Sequence, residues 1–183
     1  MSSFSPDTLA DRARPPERPK RVLVVDDSAL VRQLLSEILS HDPGLEVVGA
    51  APDPIIARRM IRDLNPDVVT LDIEMPKMDG IEFLRKIMAL RPMPVVMVSS
   101  LTQAGAPIAL EALEIGAIEC IGKPALDLTR GLKDEAARIT ETVKAAASAR
   151  VPAAQRRERI ASRIASQGLS GHGTTEKIIA IGA

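Results

Sequence analysis

The sequence has 183 residues, enough for one ordinary domain with flanking segments, and its hydrophobic fraction of 45% allows a substantial core. Only two residues are aromatic, both Phe, which argues against proteins that bind nucleic acid by stacking bases on aromatic side chains. The single cysteine, Cys120, excludes an internal disulfide and fits a reducing compartment. No apolar run is long enough to span a bilayer and none resembles a signal peptide. We therefore expect a cytoplasmic protein without membrane insertion and without a nucleic-acid partner.

Charge is distributed unevenly along the chain, although the formal net charge is zero. Residues 21–149 contain 14 Lys and Arg against 19 Asp and Glu, which gives this stretch a charge of −5. Residues 1–20 combine prolines and charges without an apolar period, which predicts a disordered tail. Residues 150–176 are basic and then rich in Gly and Ser, which predicts a linker.

Short apolar runs alternate with helical patterns from residue 21 onward. Five strand–helix units in series predict a parallel sheet covered by helices on both faces, and right-handed crossovers favour a doubly wound α/β fold. In chain order the predicted elements are a strand at 21–25, a helix capped by Ser28, a strand at 46–51, a helix capped by Asp53 with Pro54 at its first position, a strand at 67–71, a helix capped by Asp79 and ending at Leu90, a strand at 94–98, a helix from Pro107 to near Gly116, a strand at 117–120 and a helix from about Leu132 to Ala149.

Polar residues follow the predicted strands at their carboxyl ends, where ligands bind in such sheets. Asp26 and Asp27 follow the first strand and Asp72 follows the third, while Ser99 and Lys123 follow the fourth and fifth. Three carboxylates in one cleft repel one another unless a cation lies among them, and Mg²⁺ with oxygen ligands meets that need. A carboxylate neutralised in this way can attack phosphorus. The pattern therefore favours phosphoryl transfer to Asp72, with Lys123 and Ser99 binding phosphoryl oxygens.

Two other phosphoryl chemistries fit the sequence less well. Nucleotide binding would need a Gly-rich loop after the first strand, and there is none. Phosphatases of the haloacid-dehalogenase type use a strand-end Asp with a second acid two residues later. Here that second position is Glu74 where Asp would be expected, and Asp26 and Asp27 would have no role. An Asp-nucleophile phosphatase remains the alternative enzyme class.

Several stretches resemble a known family. Residues 21–149 contain, in order, VLVVDDSALVRQLL, DVVTLDIEMPKMDG, PVVMVSS and AIECIGKP, which resemble the receiver domain of two-component response regulators. The longer runs DDSALVRQLLSEIL, APDPIIARRMIRDLNPDVVTLDIEMPKMDGIEFL and RPMPVVMVSSLT are similar to chemotaxis response regulator protein-glutamate methylesterase. The resemblance implies a flavodoxin-like, five-stranded parallel sheet in the order 2-1-3-4-5.

The resemblance also implies a role for the acidic residues. Asp72 would be the phosphoacceptor. Mg²⁺ would be held by Asp72, by Asp27 directly and by Asp26 through water. Glu74 would add its backbone carbonyl to the metal.

Three further positions take their expected roles from the same resemblance. Ser99 matches the switch hydroxyl and Lys123 the phosphate-sensing lysine, and the Lys123–Pro124 bond would be cis. Cys120 stands where receivers usually carry an aromatic residue that changes rotamer on activation. Activation would then be transmitted through backbone shifts near Ser99, and Cys120 itself is expected to be a small buried residue.

The expected partners follow from the methylesterase resemblance. A chemotaxis histidine kinase would donate the phosphoryl group. A C-terminal esterase domain would hydrolyse glutamyl methyl esters and deamidate glutamines on methyl-accepting chemoreceptors. The apolar run in residues 177–183 resembles the first strand of that domain, so we expect the chain itself to lack the hydrolase residues. A receiver that controls another output, such as a DNA-binding domain, is the alternative.

Overall fold

The computed structural model describes residues 18–75, 79–100, 106–124, 132–149 and 151. The chain divides into two units, Met1–Val151 and Pro152–Ala183, and all described residues belong to the first. The expected strand at 177–183 therefore lies outside the described residues, as does the predicted linker apart from Val151. Among the described residues, no helix combines the length and the hydropathy needed to cross a membrane.

Strands and helices alternate through the described part of the chain. The five strands form one parallel sheet in the order β2-β1-β3-β4-β5, which confirms the predicted doubly wound fold. The elements are β1 (Lys20–Val25), α1 (Ala29–Ser40), β2 (Leu45–Ala51), α2 (Pro54–Leu64), β3 (Val68–Asp72), α3 (Gly80–Leu90), β4 (Val95–Ser99), α4 (Ala106–Ile115), β5 (Glu119–Gly122) and α5 (Leu132–Ser148).

The three helices that follow β1, β2 and β3 begin at the predicted caps. The Ser28 hydroxyl accepts a hydrogen bond from the backbone N–H of Val31 at 3.4 Å. Asp53 Oδ1 accepts two bonds from the first turn of α2, each 2.8 Å long, and Asp79 Oδ1 accepts one in α3 at 3.0 Å. These bonds satisfy donors that a helix N-terminus leaves unpaired. The caps therefore fix where each strand-end loop stops.

All five strands differ by one or two residues from their predicted bounds, and for two of them the cause can be identified. β1 begins at Lys20, inside the predicted tail, because Asp67 anchors this end of the chain. Asp67 accepts hydrogen bonds from the Arg18 guanidinium at 2.8 and 2.9 Å and from the Arg21 backbone N–H at 2.8 Å. β5 begins at Glu119 rather than at residue 117. Residues 116 and 117 close the end of α4, where both backbone N–H groups donate to one helical carbonyl and Gly116 adopts a φ of +127°.

Two apolar clusters cover the two faces of the sheet. Leu23 and Val25 of β1 face the cluster formed with α2, α3 and α4, and Val22 and Val24 face the cluster formed with α1 and α5. All residues of β3 and β4 are buried. The central strands therefore hold Asp72 and Ser99 on a rigid support. Val151, in the predicted linker, packs against the first cluster.

The apolar residues of α1 are not all buried. Leu35 and Leu39 are buried, whereas Leu30 is 53% exposed. Leu30 is the second residue of the helix, next to its capped end, where fewer core residues reach it.

One polar side chain lies in the core without a partner. Among the described residues, the Thr70 hydroxyl is buried and has no hydrogen-bond partner. Its cross-strand neighbours, Val24 and Val96, both belong to the cluster under α1 and α5. Burial of a hydroxyl without a hydrogen bond lowers stability by about 1 to 3 kcal/mol in mutational studies.

We predict that Thr70→Val raises the free energy of unfolding by about 1 kcal/mol, because a methyl group replaces the unpaired hydroxyl at similar volume. Urea denaturation at constant pH measures the change. Thr140→Val on α5 is the matched control and should not gain stability in this way. Among the described residues, the Thr70 hydroxyl is a fully buried group without a partner and the Thr140 hydroxyl is not. A Thr70→Val protein that is less stable than the parent would contradict the prediction.

Candidate functional site

Three carboxylates meet at the carboxyl edge of the sheet. Asp26 follows β1 directly and Asp72 ends β3, and these two strands are neighbours in the sheet. Both side chains are fully buried, whereas Asp27 is exposed. Each residue offers one carboxylate oxygen, and these three oxygens lie within 4.8 Å of one another. The structure therefore brings together the three acids that the sequence placed at strand ends.

Of the four oxygens of the two buried carboxylates, three accept a hydrogen bond and one does not. Asp72 Oδ1 accepts from the backbone N–H of Glu74 at 3.1 Å, and its Oδ2 accepts from Lys123 Nζ at 2.8 Å. Asp26 Oδ1 accepts from the backbone N–H of Ser28 at 2.8 Å. Asp26 Oδ2 is buried without a hydrogen bond among the described residues, although Lys123 Nζ lies 3.5 Å from it. One buried, charge-bearing oxygen thus lacks a hydrogen-bond donor.

Burial and mutual repulsion shift the ionisation of these groups. Burial raises the pKa of Asp72 to about 6, with a further contribution from the charge of Asp26, against the lowering effect of the Lys123 hydrogen bond. Burial also raises the pKa of Asp26. Burial alone would lower the pKa of Lys123, but its hydrogen bond to Asp72 and the two carboxylate charges raise it. The lysine is therefore held positive, while one positive charge faces three acids.

The residues at this edge fit a hard divalent cation. The donor set is made of carboxylate oxygens, which Mg²⁺ prefers as ligands. One of its members, Asp26, also has a buried Oδ2 without a hydrogen bond among the described residues. A bound cation would offset the repulsion that raises the pKa of Asp72.

Ser99 and Lys123 lie at the same edge, on the two strands beyond β3. The backbone carbonyl of Ser99 accepts a hydrogen bond from the Lys123 N–H at 2.8 Å. The Ser99 side chain is buried at 9% exposure and makes no side-chain hydrogen bond with the described residues. Its hydroxyl is therefore not committed to a neighbour within the described part of the chain.

The expected cis Lys123–Pro124 bond is wrong, since every described peptide bond is trans. The trans form is favoured even before proline, by about 0.5 to 1 kcal/mol. Lys123 Nζ reaches Asp72 at 2.8 Å with this bond in the trans form.

Comparison with known proteins identifies the family to which this fold belongs. Residues 22–133 match the family model of the response regulator receiver domain. The chain belongs to the response regulator receiver family. Asp26, Asp27, Asp72 and Lys123 meet at the carboxyl edge of this receiver sheet.

Several curated relatives of the chain are named protein-glutamate methylesterase/protein-glutamine glutaminase. Protein-glutamate methylesterase/protein-glutamine glutaminase 1 of Xanthomonas campestris pv. campestris is 54% identical over 173 residues, which cover 91% of this chain and 48% of the relative. The chain thus spans about half the length of the curated relatives that it matches. The response regulator domain of Thermotoga maritima CheB has a TM-score of 0.64 and 44% identity, over 73% of this chain and 99% of that one.

A second similar structure is a complex of two proteins. It is the P1 domain of CheA3 in complex with CheY6 from R. sphaeroides, with 34% identity, a TM-score of 0.57 and coverage of 70% of this chain and 99% of that chain.

Three features of this receiver site were not assigned from the sequence. Arg32, in the first turn of α1, donates from one guanidinium nitrogen to the backbone carbonyls of Asp26 and Asp27, at 2.8 and 3.0 Å. It thereby holds the loop that carries both acids.

The second feature is a contact of Glu74. The exposed Glu74 carboxylate accepts a hydrogen bond from the Ser100 hydroxyl at 2.9 Å. The part of its backbone carbonyl in metal binding remains a prediction.

Cys120 has a structural role between β5 and α4. Its side chain is half-buried against the core, and Sγ lies 3.6 Å from the backbone carbonyl of Ala109. The sequence predicted a small buried residue at this position, where receivers usually carry an aromatic side chain, and Cys120 is buried only in part.

Gly80 is the third feature, because it lies directly against the backbone at the end of β3. Its N–H donates to the carbonyl of Ile73 at 3.0 Å. A Cβ on Gly80 would lie 2.0 Å from the Asp72 backbone oxygen and 2.9 Å from Ile73 Cα. Backbone atoms cannot rotate away, so any side chain here must displace α3 or the end of β3.

We predict that Gly80→Ala lowers the free energy of unfolding by about 2 to 3 kcal/mol, because overpacking forces a backbone shift. Gly49→Ala is the control, since its Cβ would meet only side-chain atoms, the nearest being Leu64 Cδ1 at 3.1 Å. Urea denaturation of both variants gives the comparison. Equal stability of the two variants would show that the contact at Gly80 is not tight.

Proposed function

We propose that Asp72 accepts a phosphoryl group from a chemotaxis histidine kinase, with Mg²⁺ as cofactor. The observation that supports this most strongly is the cluster of three carboxylate oxygens within 4.8 Å, with Lys123 Nζ 2.8 Å from Asp72. The related complex of CheY6 with the P1 domain of CheA3 supports a kinase domain as the donor.

The chemistry needs an ionised carboxylate on Asp72, and the fully buried side chain would have to be uncovered when the phosphoryl donor binds. With a pKa of about 6 in the absence of metal, Asp72 is mostly ionised at neutral pH. One of its oxygens attacks phosphorus while the bond from phosphorus to the donor imidazole nitrogen breaks. The imidazole keeps the electron pair and takes up a proton. The rigid end of β3 holds the nucleophile in place during this transfer.

The acidic residues are proposed to hold the metal. Asp27 and Asp72 would bind it directly, Asp26 would bind through water, and Glu74 would provide its backbone carbonyl. When bound, Mg²⁺ would supply positive charge to the carboxylates and to the phosphoryl oxygens. Arg32 would keep the Asp26–Asp27 loop in position, since it donates to both backbone carbonyls.

Ser99 and Lys123 are proposed to respond to the new phosphoryl group. Lys123 would exchange its present partner, Asp72 Oδ2, for a phosphoryl oxygen, and the Ser99 hydroxyl would donate to another. Since the Lys123 N–H donates to the Ser99 carbonyl, the ends of β4 and β5 would shift together. That shift would bias the domain between two states without an aromatic rotamer change at position 120.

The output is proposed to be control of a protein-glutamate methylesterase. The curated relatives at 54% identity carry that activity in their names, together with glutaminase, and the chain spans about half of their length. Phosphorylation of Asp72 would switch on hydrolysis of glutamyl methyl esters, and deamidation of glutamines, on methyl-accepting chemoreceptors.

We predict that acetyl phosphate and Mg²⁺ give the chain one acid-stable, base-labile phosphoryl group, and that Asp72→Asn abolishes it because the nucleophile is lost. Intact-protein mass spectrometry at low pH measures the adduct. Asp63→Asn, an exposed acid on α2, is the matched control and should label like the parent.

Two outcomes would contradict this assignment. Labelling of Asp72→Asn at the parental level would place the phosphoacceptor elsewhere. Continuous turnover of a phosphomonoester without a lasting adduct would favour the Asp-nucleophile phosphatase.

A further inference from the structure

A groove of about 830 Å³ lies between α2 and α3. Ile61, Phe83 and Ile87 form a buried apolar floor. At its edges Ile55 is 69% exposed and Leu90 is 76% exposed, although both are large apolar side chains. The groove is separate from the carboxylate cluster, since none of its lining residues belongs to that cluster.

The groove has a strongly basic rim. Five of its lining residues are Arg or Lys, and none is Asp or Glu. This basic surface lies on a stretch, residues 21–149, whose formal charge is −5. The cationic residues are Arg58, Arg59, Arg62, Lys86 and Arg91.

Two of these cations are not committed to partners within the described part of the chain. Arg62 pairs with Asp63 at 2.8 Å, and Arg91 donates to the Ile61 carbonyl and to Asn65. Arg58 and Arg59 are exposed and make no hydrogen bond or ion pair with described residues, although the charge of Arg59 contributes to lowering the pKa of Asp63. A ligand could therefore pair with these two arginines without breaking an existing ion pair.

We propose that this α2–α3 groove binds an acidic amphipathic segment of a partner protein. Apolar side chains of the segment would cover the Ile55–Leu90 edge and the floor, and its carboxylates would pair with Arg58 and Arg59. A groove between two helices suits such a segment in helical form, with apolar anchors spaced three and four residues apart. Charge complementarity commits the site to an acidic occupant.

Other occupants have less favourable chemistry. The chain's own residues 150–176 are basic, so they carry the same sign of charge as the rim. Nucleic acid would find no exposed aromatic side chain for base stacking, because Phe83 is buried in the floor. The N-terminal residues 1–17 carry three acids and two arginines, with Phe4 and Leu9 as large apolar residues. The experiment therefore also tests whether these residues occupy the groove.

The experiment measures fluorescence anisotropy of a labelled 16-residue peptide, with Leu on one helical face and Glu on the other, added to the full chain. A scrambled peptide of the same composition and a peptide with Lys in place of Glu are the ligand controls. We expect micromolar binding of the Leu/Glu peptide that weakens with added salt, at least about tenfold weaker binding of the scrambled peptide, and no measurable binding of the Lys peptide.

Matched variants of the full chain locate the site. Arg58→Glu with Arg59→Glu should weaken binding at least about tenfold, because two attractive contacts become repulsive. Lys133→Glu with Arg138→Glu on α5 changes the net charge equally at exposed positions and should change affinity by less than about twofold. Leu90→Ser should weaken binding several-fold, and Leu110→Ser, an exposed leucine on α4, should not.

Several results would overturn the proposal. One is an equal loss of peptide affinity in both charge-reversal variants. Another is a scrambled peptide that binds as tightly as the Leu/Glu peptide. A third is an oligodeoxynucleotide of the same charge that competes as well as that peptide does. A tenfold gain in peptide affinity from Phe4→Ser with Leu9→Ser in the full chain would show that the chain's own N-terminal residues occupy the groove. Self-association abolished by Arg58→Glu with Arg59→Glu would assign the groove to a second copy. Because Asp72 takes no part, a failure here is distinct from a failure of the phosphorylation proposal.

Discussion

Two buried carboxylates, Asp26 and Asp72, end neighbouring strands and repel each other across a short gap. Lys123 is the one cation that contacts both, at 3.5 and 2.8 Å, among the described residues. Its single charge cannot balance these acids and Asp27, so the pKa of Asp72 is raised to about 6 by burial and by Asp26. This unfavourable charge is the physical reason to expect a divalent cation and a phosphoryl group here, since together they add positive charge and new acceptors for Lys123 and Ser99.

The fold supplies this arrangement at the ends of fully buried strands and holds it with backbone contacts. Arg32 binds the carbonyls of the loop after β1, and Gly80 allows α3 to approach the end of β3 closely. α3 therefore belongs to two surfaces: its first residue packs against the end of β3, and its later residues line the basic groove shared with α2. Both surfaces depend on the same packing of α3 against the sheet.

Much of the fold was predictable because local chemistry determines it. Side-chain caps at Ser28, Asp53 and Asp79 mark helix starts, and apolar runs mark buried strands, so the parallel sheet and the convergence of strand-end acids follow from the sequence. Contacts made by long side chains were not predictable. The return of Arg32 to the preceding loop and the Glu74–Ser100 hydrogen bond depend on rotamers and loop paths, which hydrophobic periodicity does not encode. The basic groove likewise arises from two helices that are distant in sequence and become neighbours only in the fold.

The most direct test of the central claim is the free energy of unfolding of the parent and of Asp72→Asn between pH 4 and pH 8, with and without Mg²⁺. The pKa of Asp72 is raised on folding from 3.8 to about 6, so the contribution of its protonated form to stability is lost as pH rises through that range. Without Mg²⁺, the parent should therefore lose up to about 3 kcal/mol relative to Asp72→Asn over this interval. Mg²⁺ should restore most of that loss above pH 6 in the parent and little in the variant. A parent-to-variant difference that is independent of pH without Mg²⁺, or equal stabilisation of both proteins by Mg²⁺, would contradict the account.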